Sequence, residues 1–164
     1  MESKQVFDKD IIEGNVLIAE FLGYVESKFN VYLHSRRGGF ASGYRNRFVL
    51  KTQYDHLVKC FNSKDNLAID KFYGDTIDNY KFDGEHLLLS AYNNRITPLD
   101  FLPKADYLQY HKSWDLLIPV ITKIRESGYI TVIKTKQSIP DIEATWKDIV
   151  DKIKYINQEQ ESFL

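Results

Sequence analysis

Two segments in the C-terminal half of the chain repeat apolar residues every three or four positions, and this period constrains the fold more than any other feature. Such spacing puts the apolar side chains on one face of an α-helix, which must then be buried against another element. A similar pattern predicts a third helix over about residues 10–22. The two C-terminal stripes consist of Trp114, Leu117, Ile118, Ile121 and Ile124, and of Ile142, Trp146, Ile149 or Val150, Ile153 and Ile156.

Local signals predict where the helices begin and end. Ser113 is a natural N-cap for the first C-terminal helix, and Gly128 lies where that helix should stop. The spacing Ser138-x-x-Asp141 resembles a capping box and predicts a second helix over about residues 139–158. A shorter helix is predicted over 52–63, with Thr52 as its cap.

Strand signals lie between these helices. The stretches "FNVYLH" and "NRFVLK" predict two antiparallel strands joined by a long glycine-rich loop. Asp83-Gly84 is a good hairpin turn, followed by a strand over 86–92, and "GYITVIKT" predicts a further strand. The order predicts an α+β fold in which a largely antiparallel sheet packs against two or three amphipathic helices, as in an α-β-α sandwich. We expect one domain over 1–164, with disordered ends at about 1–8 and 159–164.

Several functional classes are disfavoured by simple counts. No apolar run approaches the roughly 20 residues that a membrane-spanning helix needs, and the N-terminus lacks the pattern of a signal peptide. Cys60 is the single cysteine, so no internal disulfide is expected and a cytoplasmic setting fits. The four histidines lie far apart and show no metal-ligand spacing. We therefore expect no membrane association, no metal site and no cofactor.

The segment 34–51 concentrates positive charge in a chain whose net charge is −1. It holds four of the six arginines together with three glycines and no acidic residue. Arginine forks bind phosphate oxygens, glycines let the backbone approach an anion, and aromatic rings stack on bases. The alternative is a mobile surface loop whose arginines pair with the protein's own acidic residues. The residues that would hold an anionic ligand are Arg36, Arg37, Phe40, Tyr44, Arg45 and Arg47.

Other groupings favour structural roles over catalysis. His111, Ser113 and Asp115 lie within five residues, but triad members usually converge from distant segments, and Ser113 and Asp115 suit a helix start. His56 and Cys60 would share a helix face, where a buried cysteine is commoner than a catalytic pair. The acidic residues of the middle region match no calcium-loop spacing, and the chain contains no glycine-rich phosphate motif.

Both ends of the chain carry a resemblance. The stretches "LIAEFLGY", "YHKSWDLLIPVITKI" and "IEATWKDIVDKIKYIN" resemble a set of uncharacterised small proteins of phages, prophages and Bacteroidota, with a pattern EFxG, then YHxSWDxLxPV, then an amphipathic C-terminal helix. Some of those proteins are described as phage α-β-α sandwich domains. The resemblance implies that fold and a phage or prophage setting, in the cytoplasm of a bacterial host. It implies no reaction, and it does not cover the basic segment.

Three functional hypotheses follow. The first is a small non-enzymatic protein that binds an anionic, nucleotide-like molecule; in a phage setting it would sequester a host signalling nucleotide as an anti-defence protein. The second is a protein-interaction module, such as an inhibitor of a host enzyme, that docks through tyrosines and the basic loop. The third is an enzyme acting on a phosphorylated substrate, with His34 or His86 beside the arginines. Binding to duplex nucleic acid is not expected because one basic patch neutralises few phosphates. A homo-oligomer is left open, since nothing in the sequence fixes an interface.

Overall fold

The structure, a computed structural model, describes residues 2–34, 40–65, 77–91 and 102–162. They form two compact units: a helical unit, Met1–Gly23 with Ala105–Leu164, and a sheet unit, Tyr24–Lys104. The predicted α+β class with a largely antiparallel sheet is confirmed, while a single domain over 1–164 stays a prediction. The elements are α1 (Glu2–Phe21), β1 (Tyr24–His34), β2 (Phe40–Leu50), α2 (Lys51–Ser63), β3 (Ile77–Phe82), β4 (Leu87–Ala91), a 3₁₀ turn (Ala105–Tyr107), α3 (Trp114–Glu126), β5 (Thr135–Lys136), β6 (Ile139–Pro140) and α4 (Ile142–Ser162).

The sheet unit is a four-stranded sheet with strand order β2-β1-β4-β3. β1 pairs antiparallel with β2 and parallel with β4, and β3 pairs antiparallel with β4. Alternate residues of β1 and β4 point toward α2, and we call this side of the sheet the core face and the other side the open face. The core between the sheet and α2 consists of Phe29, Val31, Leu33, Leu57, Cys60, Phe61, Leu87 and Leu89.

The β1–β2 hairpin is longer than predicted. The antiparallel register runs without a break from Tyr24 opposite Leu50 to His34 opposite Phe40. Residues 40–45, which the glycine-rich composition predicted to be loop, are therefore strand, because continuous backbone pairing outweighs the low strand propensity of one glycine. The predicted Asp83-Gly84 hairpin turn is confirmed, with Gly84 at φ +99°.

The helical unit buries most residues of the two predicted stripes. α1 and α3 both contact α4, and the stripe of α4 is buried as predicted, with Ile142 at its partly covered edge. In α3 the stripe shifts by a fraction of a turn, so that Val120 is buried while Ile118 is exposed. The Leu116 N–H donates to Ser113 Oγ at 3.4 Å, which confirms the predicted cap, and Gly128 takes a positive φ just beyond the helix.

The other predicted helix ends are corrected. α1 begins at Glu2, and α4 begins at Ile142 and continues to Ser162, so both helices extend into the ends predicted to be disordered. Asp141, not Ser138, caps α4: its Oδ1 accepts from the Ala144 N–H at 3.1 Å. α2 starts directly after β2, with Leu50 as its cap residue and no side-chain bond, so the Thr52 cap was wrong.

The strand predicted over residues 128–135 is also corrected. Only Thr135–Lys136 is strand, and it pairs with Ile139–Pro140 across a turn whose central residues Gln137 and Ser138 both have positive φ. This small hairpin occupies the residues that were predicted to start α4. Among the described residues, no helix is both long and apolar enough to cross a membrane.

Candidate functional site

The open face of the sheet carries the candidate site. In β1, Asn30 and Tyr32 alternate with buried apolar residues and therefore point away from α2. Directly paired residues of neighbouring strands share a face, so Ser42 joins from β2 and Ser90 from β4. Amide, hydroxyl and phenol groups thus replace apolar side chains across the middle of this face.

A depression of about 380 Å³ lies on this face. This volume is at the lower end of the roughly 300–1,000 Å³ typical of small-molecule sites. Its walls offer hydrogen-bond donors and acceptors beside aromatic and aliphatic carbon. The polar residues that line it are Asn30, Tyr32, Ser42, Asn79, Lys81 and Ser90.

An aromatic pair flanks the depression on the same face. The ring centroids of Tyr44 and His86 lie 5.2 Å apart, and Tyr44 is 70% exposed. Tyr44 lies opposite Asn30 in the register, which places it beside the depression. A tyrosine ring exposed to this extent has an uncovered face on which a planar ligand can stack.

The β3–β4 turn holds His86 in place. Asp83 Oδ1 accepts the backbone N–H of His86 at 2.6 Å and that of Glu85 at 2.9 Å, and these bonds lower the pKa of Asp83. The Asp83 carboxylate also lies 3.6 Å from His86 Nδ1. Lys28 donates to Glu85 at 3.0 Å, and this hydrogen bond lowers the pKa of the Glu85 carboxyl. The turn is thus fixed by both backbone and side-chain bonds.

The described side chains that the sequence predicted to bind one ligand lie on two different faces of the sheet. Tyr44 is on the open face, whereas Arg45 and Arg47 lie opposite Phe29 and Ser27 and therefore point to the core side. Arg47 is only 6% exposed, and its Nη1 donates to the carbonyl of Asn46 at 2.9 Å. Both arginines already have interaction partners.

The remaining predicted residues lie outside the described part of the chain. Arg36 and Arg37 fall in the connection between β1 and β2, which the structure does not describe. Phe40 begins β2, but its side chain is also outside the described residues. Whether these three contribute to a ligand site stays a prediction.

The other groupings singled out in the sequence have structural surroundings. Cys60 Sγ lies 3.5 Å from His56 Nε2, as the helical spacing predicted, but Cys60 is buried in the core of the sheet unit. The Ser113 hydroxyl caps α3 rather than facing a base. The described residues contain no group of three or more His, Cys, Asp and Glu side chains that could hold a metal ion.

Sequence reasoning missed most of the open face. Asn30 and Tyr32 were visible as the polar half of an alternating strand, since "FNVYLH" places every second residue on one side. Strand pairing brings three further polar residues to the same face, namely Asn79, Lys81 and Ser90. No local sequence pattern predicts that pairing. We find no matching family model, no matching curated protein and no matching solved structure for this chain.

Proposed function

We propose that this protein is a non-enzymatic binding protein that holds an anionic, nucleotide-like ligand on the open face of its sheet. The observation that carries the proposal is the exposed Tyr44, packed against His86 beside a polar depression. Exposed aromatic rings on a β-sheet are a common platform for unstacked bases. Stacking on such a ring contributes on the order of 1–3 kcal/mol per base.

The other groups of the face suit the remaining parts of a nucleotide. The side-chain amides of Asn30 and Asn79 offer paired donors and acceptors, which match the edge of a base such as adenine. The Lys81 ammonium lines the same depression and supplies positive charge for a phosphate. Amides and hydroxyls bind without changing protonation state, which favours holding a ligand over converting it.

The phage setting implied by the sequence resemblance gives such binding a role. A small protein made in an infected cell can remove a host signalling nucleotide from solution by holding it.

The ligand can be identified by mass spectrometry. The protein is purified from its host and denatured, and the small molecules that it releases are analysed.

The direct test is calorimetric titration with AMP, GMP, CMP, UMP and the cyclic forms of AMP and GMP. We expect heat with at least one of them, and Tyr44→Ala should weaken that binding roughly 5- to 150-fold, as expected for a lost stacking contact. Tyr107→Ala is the matched control, because Tyr107 is 63% exposed but belongs to the helical unit. Equal losses in both variants, or no heat from the parent protein with any nucleotide, would refute the proposal.

Charge reversal tests the phosphate contact. Lys81→Glu should weaken binding of a nucleotide more than binding of the matching nucleoside. Lys59→Glu, on the exposed side of α2, changes the net charge of the sheet unit by the same amount and should leave the affinity unchanged. If both reversals act equally, the effect comes from overall charge and Lys81 does not contact the ligand.

A further inference from the structure

A buried amide in the helical unit has a fixed orientation. Asn15, on the apolar side of α1, is only 1% exposed. Its Nδ2 donates to the Leu108 carbonyl at 2.8 Å and lies 2.9 Å from His111 Nδ1, while its Oδ1 accepts from Trp146 Nε1 at 2.9 Å. An indole N–H can only donate and a carbonyl can only accept, so the oxygen and nitrogen of the amide cannot be exchanged.

This orientation fixes the tautomer of His111. Since the Asn15 nitrogen carries two hydrogens and donates one to Leu108, the other points at His111 Nδ1, which must accept. The imidazole is then neutral and carries its proton on Nε2. Burial, followed by the nearby charge of Lys112, lowers the pKa of His111, in agreement with a ring held neutral.

The His111 ring lines a cleft of about 590 Å³. Trp146 also lines the cleft, and its ring lies edge-on to His111 with centroids 6.3 Å apart. The charged residues at the cleft are Asp106, Lys112, Glu143 and Lys147. Apolar walls come from Ile11, Ile12, Leu108 and Ile142.

The charged side chains of the cleft differ in whether they already have an ion-pair partner in the protein. Lys147 and Glu143 form an ion pair at 3.2 Å and largely neutralise each other. Neither Lys112 nor Asp106 forms an ion pair among the described residues. The His111 Nε2–H has no hydrogen-bond acceptor among them. The cleft thus combines apolar walls with donors on two adjacent residues, His111 and Lys112, and, within the described part of the chain, with one unpaired carboxylate, Asp106.

We propose that this cleft binds a small carboxylate with an apolar body, whose oxygens accept from His111 Nε2–H and from the Lys112 ammonium. The apolar body would lie against the isoleucines and the Trp146 ring. Asn15 is a positioning residue in this site, because it turns the imidazole so that a donor rather than a lone pair faces the ligand. The site is in the helical unit and is independent of the nucleotide proposal for the sheet unit.

The tautomer is tested by long-range ¹H–¹⁵N NMR of the histidine rings at pH 7.5. We expect His111 as the Nε2–H form. Asn15→Asp removes the donor that faces Nδ1, so in that variant the pKa of His111 should rise above that of the parent protein. A proton on Nδ1 in the parent protein would overturn the proposal.

Binding is tested with three probes of equal chain length: hexanoate, hexanol and hexylamine. Hexanoate should saturate a change in tryptophan fluorescence and shift the His111 resonances, whereas hexanol and hexylamine should bind at least tenfold more weakly. His111→Phe keeps a ring but removes the donor, and it should weaken hexanoate binding about 10- to 150-fold, as for a hydrogen bond to a charged group. Equal binding of hexanol, or no saturable binding of hexanoate, would overturn the proposal.

A second variant covers the case in which His111→Phe does not fold. Lys112→Glu changes an exposed side chain and should abolish the preference for hexanoate over hexanol. Lys136→Glu, in the exposed hairpin strand β5, makes the same charge change and should retain that preference. Retention of the preference in Lys112→Glu would contradict the assigned contact.

Discussion

Replacing Gly14 with alanine tests how closely α1 packs on the tryptophan of α4. A Cβ atom built on Gly14 would overlap Trp146 Cζ2, and it would lie 2.7 Å from Trp146 Cη2 and 3.2 Å from Val150 Cγ2. The indole cannot relieve the contact by rotating its end, because the clashing atoms belong to a rigid ring whose Nε1–H is bonded to Asn15. Either the ring or α1 has to move.

The size of the effect follows from two opposing contributions. Overpacking of a well-filled core costs about 1–3 kcal/mol, and two contacts below 3.0 Å place this site near the upper end. Alanine recovers about 1 kcal/mol over glycine inside a helix. We therefore expect Gly14→Ala to lower the free energy of unfolding by about 2 kcal/mol.

The assay is urea denaturation followed by tryptophan fluorescence. The two tryptophans of the chain, Trp114 and Trp146, both lie in the helical unit, so the signal reports on that unit. In a Trp146→Phe background the two clashing ring atoms are absent, and Trp114 remains as the reporter. There Gly14→Ala should stabilise the protein by up to about 1 kcal/mol. Equal destabilisation in both backgrounds, or stabilisation in the parent protein, would refute the close packing.

Two further predictions concern the same unit. Because folding lowers the pKa of His111 from 6.5, the neutral ring contributes to the free energy of unfolding. This stabilising contribution is fully present above pH 6.5 and is lost as the pH falls from 6.5 through the lower pKa of the folded state. Urea denaturation at pH 7.5 and 5.5 should thus show a larger loss of stability for the parent than for His111→Gln, and parallel losses would contradict the prediction. Arg125 Nε and Nη2 donate to the Thr131 carbonyl at 3.2 and 2.9 Å, so Arg125→Met should cost about 1–3 kcal/mol in the same assay and Arg125→Lys less. Equal effects of the two substitutions would exclude the paired bonds as the cause.

The helical segments could be predicted because burial of one face dominates their stability. The stripe of α4 keeps helical spacing from Ile142 to Ile156, about four turns, and no local feature competes with it. Helix ends are decided by single hydrogen bonds of about 1 kcal/mol, and the capping-box spacing predicted a helix start at Ser138. Asp141 caps the helix because Ile139–Pro140 pairs with Thr135–Lys136 and is therefore strand. The spacing of residues in the sequence does not predict that pairing.

The strand predicted over 128–135 failed for a different physical reason. A run of β-branched residues favours extended backbone, but a strand also needs a neighbour for its N–H and C=O groups. Here side chains supply partners instead: Arg125 binds the Thr131 carbonyl, and the Thr145 hydroxyl accepts from the Lys134 N–H at 2.9 Å. Ile130 is 82% exposed, which its high strand propensity could not predict.

The basic segment shows how a change from loop to strand redistributes a predicted site. In a loop, Tyr44 and Arg45 can face one ligand, but in a strand successive side chains point to opposite faces. The unbroken β1–β2 register makes residues 40–50 a strand and directs Arg45 and Arg47 to the core side, where a guanidinium needs hydrogen bonds such as that of Arg47 to Asn46. Because those charges are directed away from the open face, the described cations that could meet the phosphate of the proposed ligand beside Tyr44 are the lysines of that face. Lys28 already binds Glu85, which leaves Lys81 as the described position where charge reversal most directly reports on anion binding.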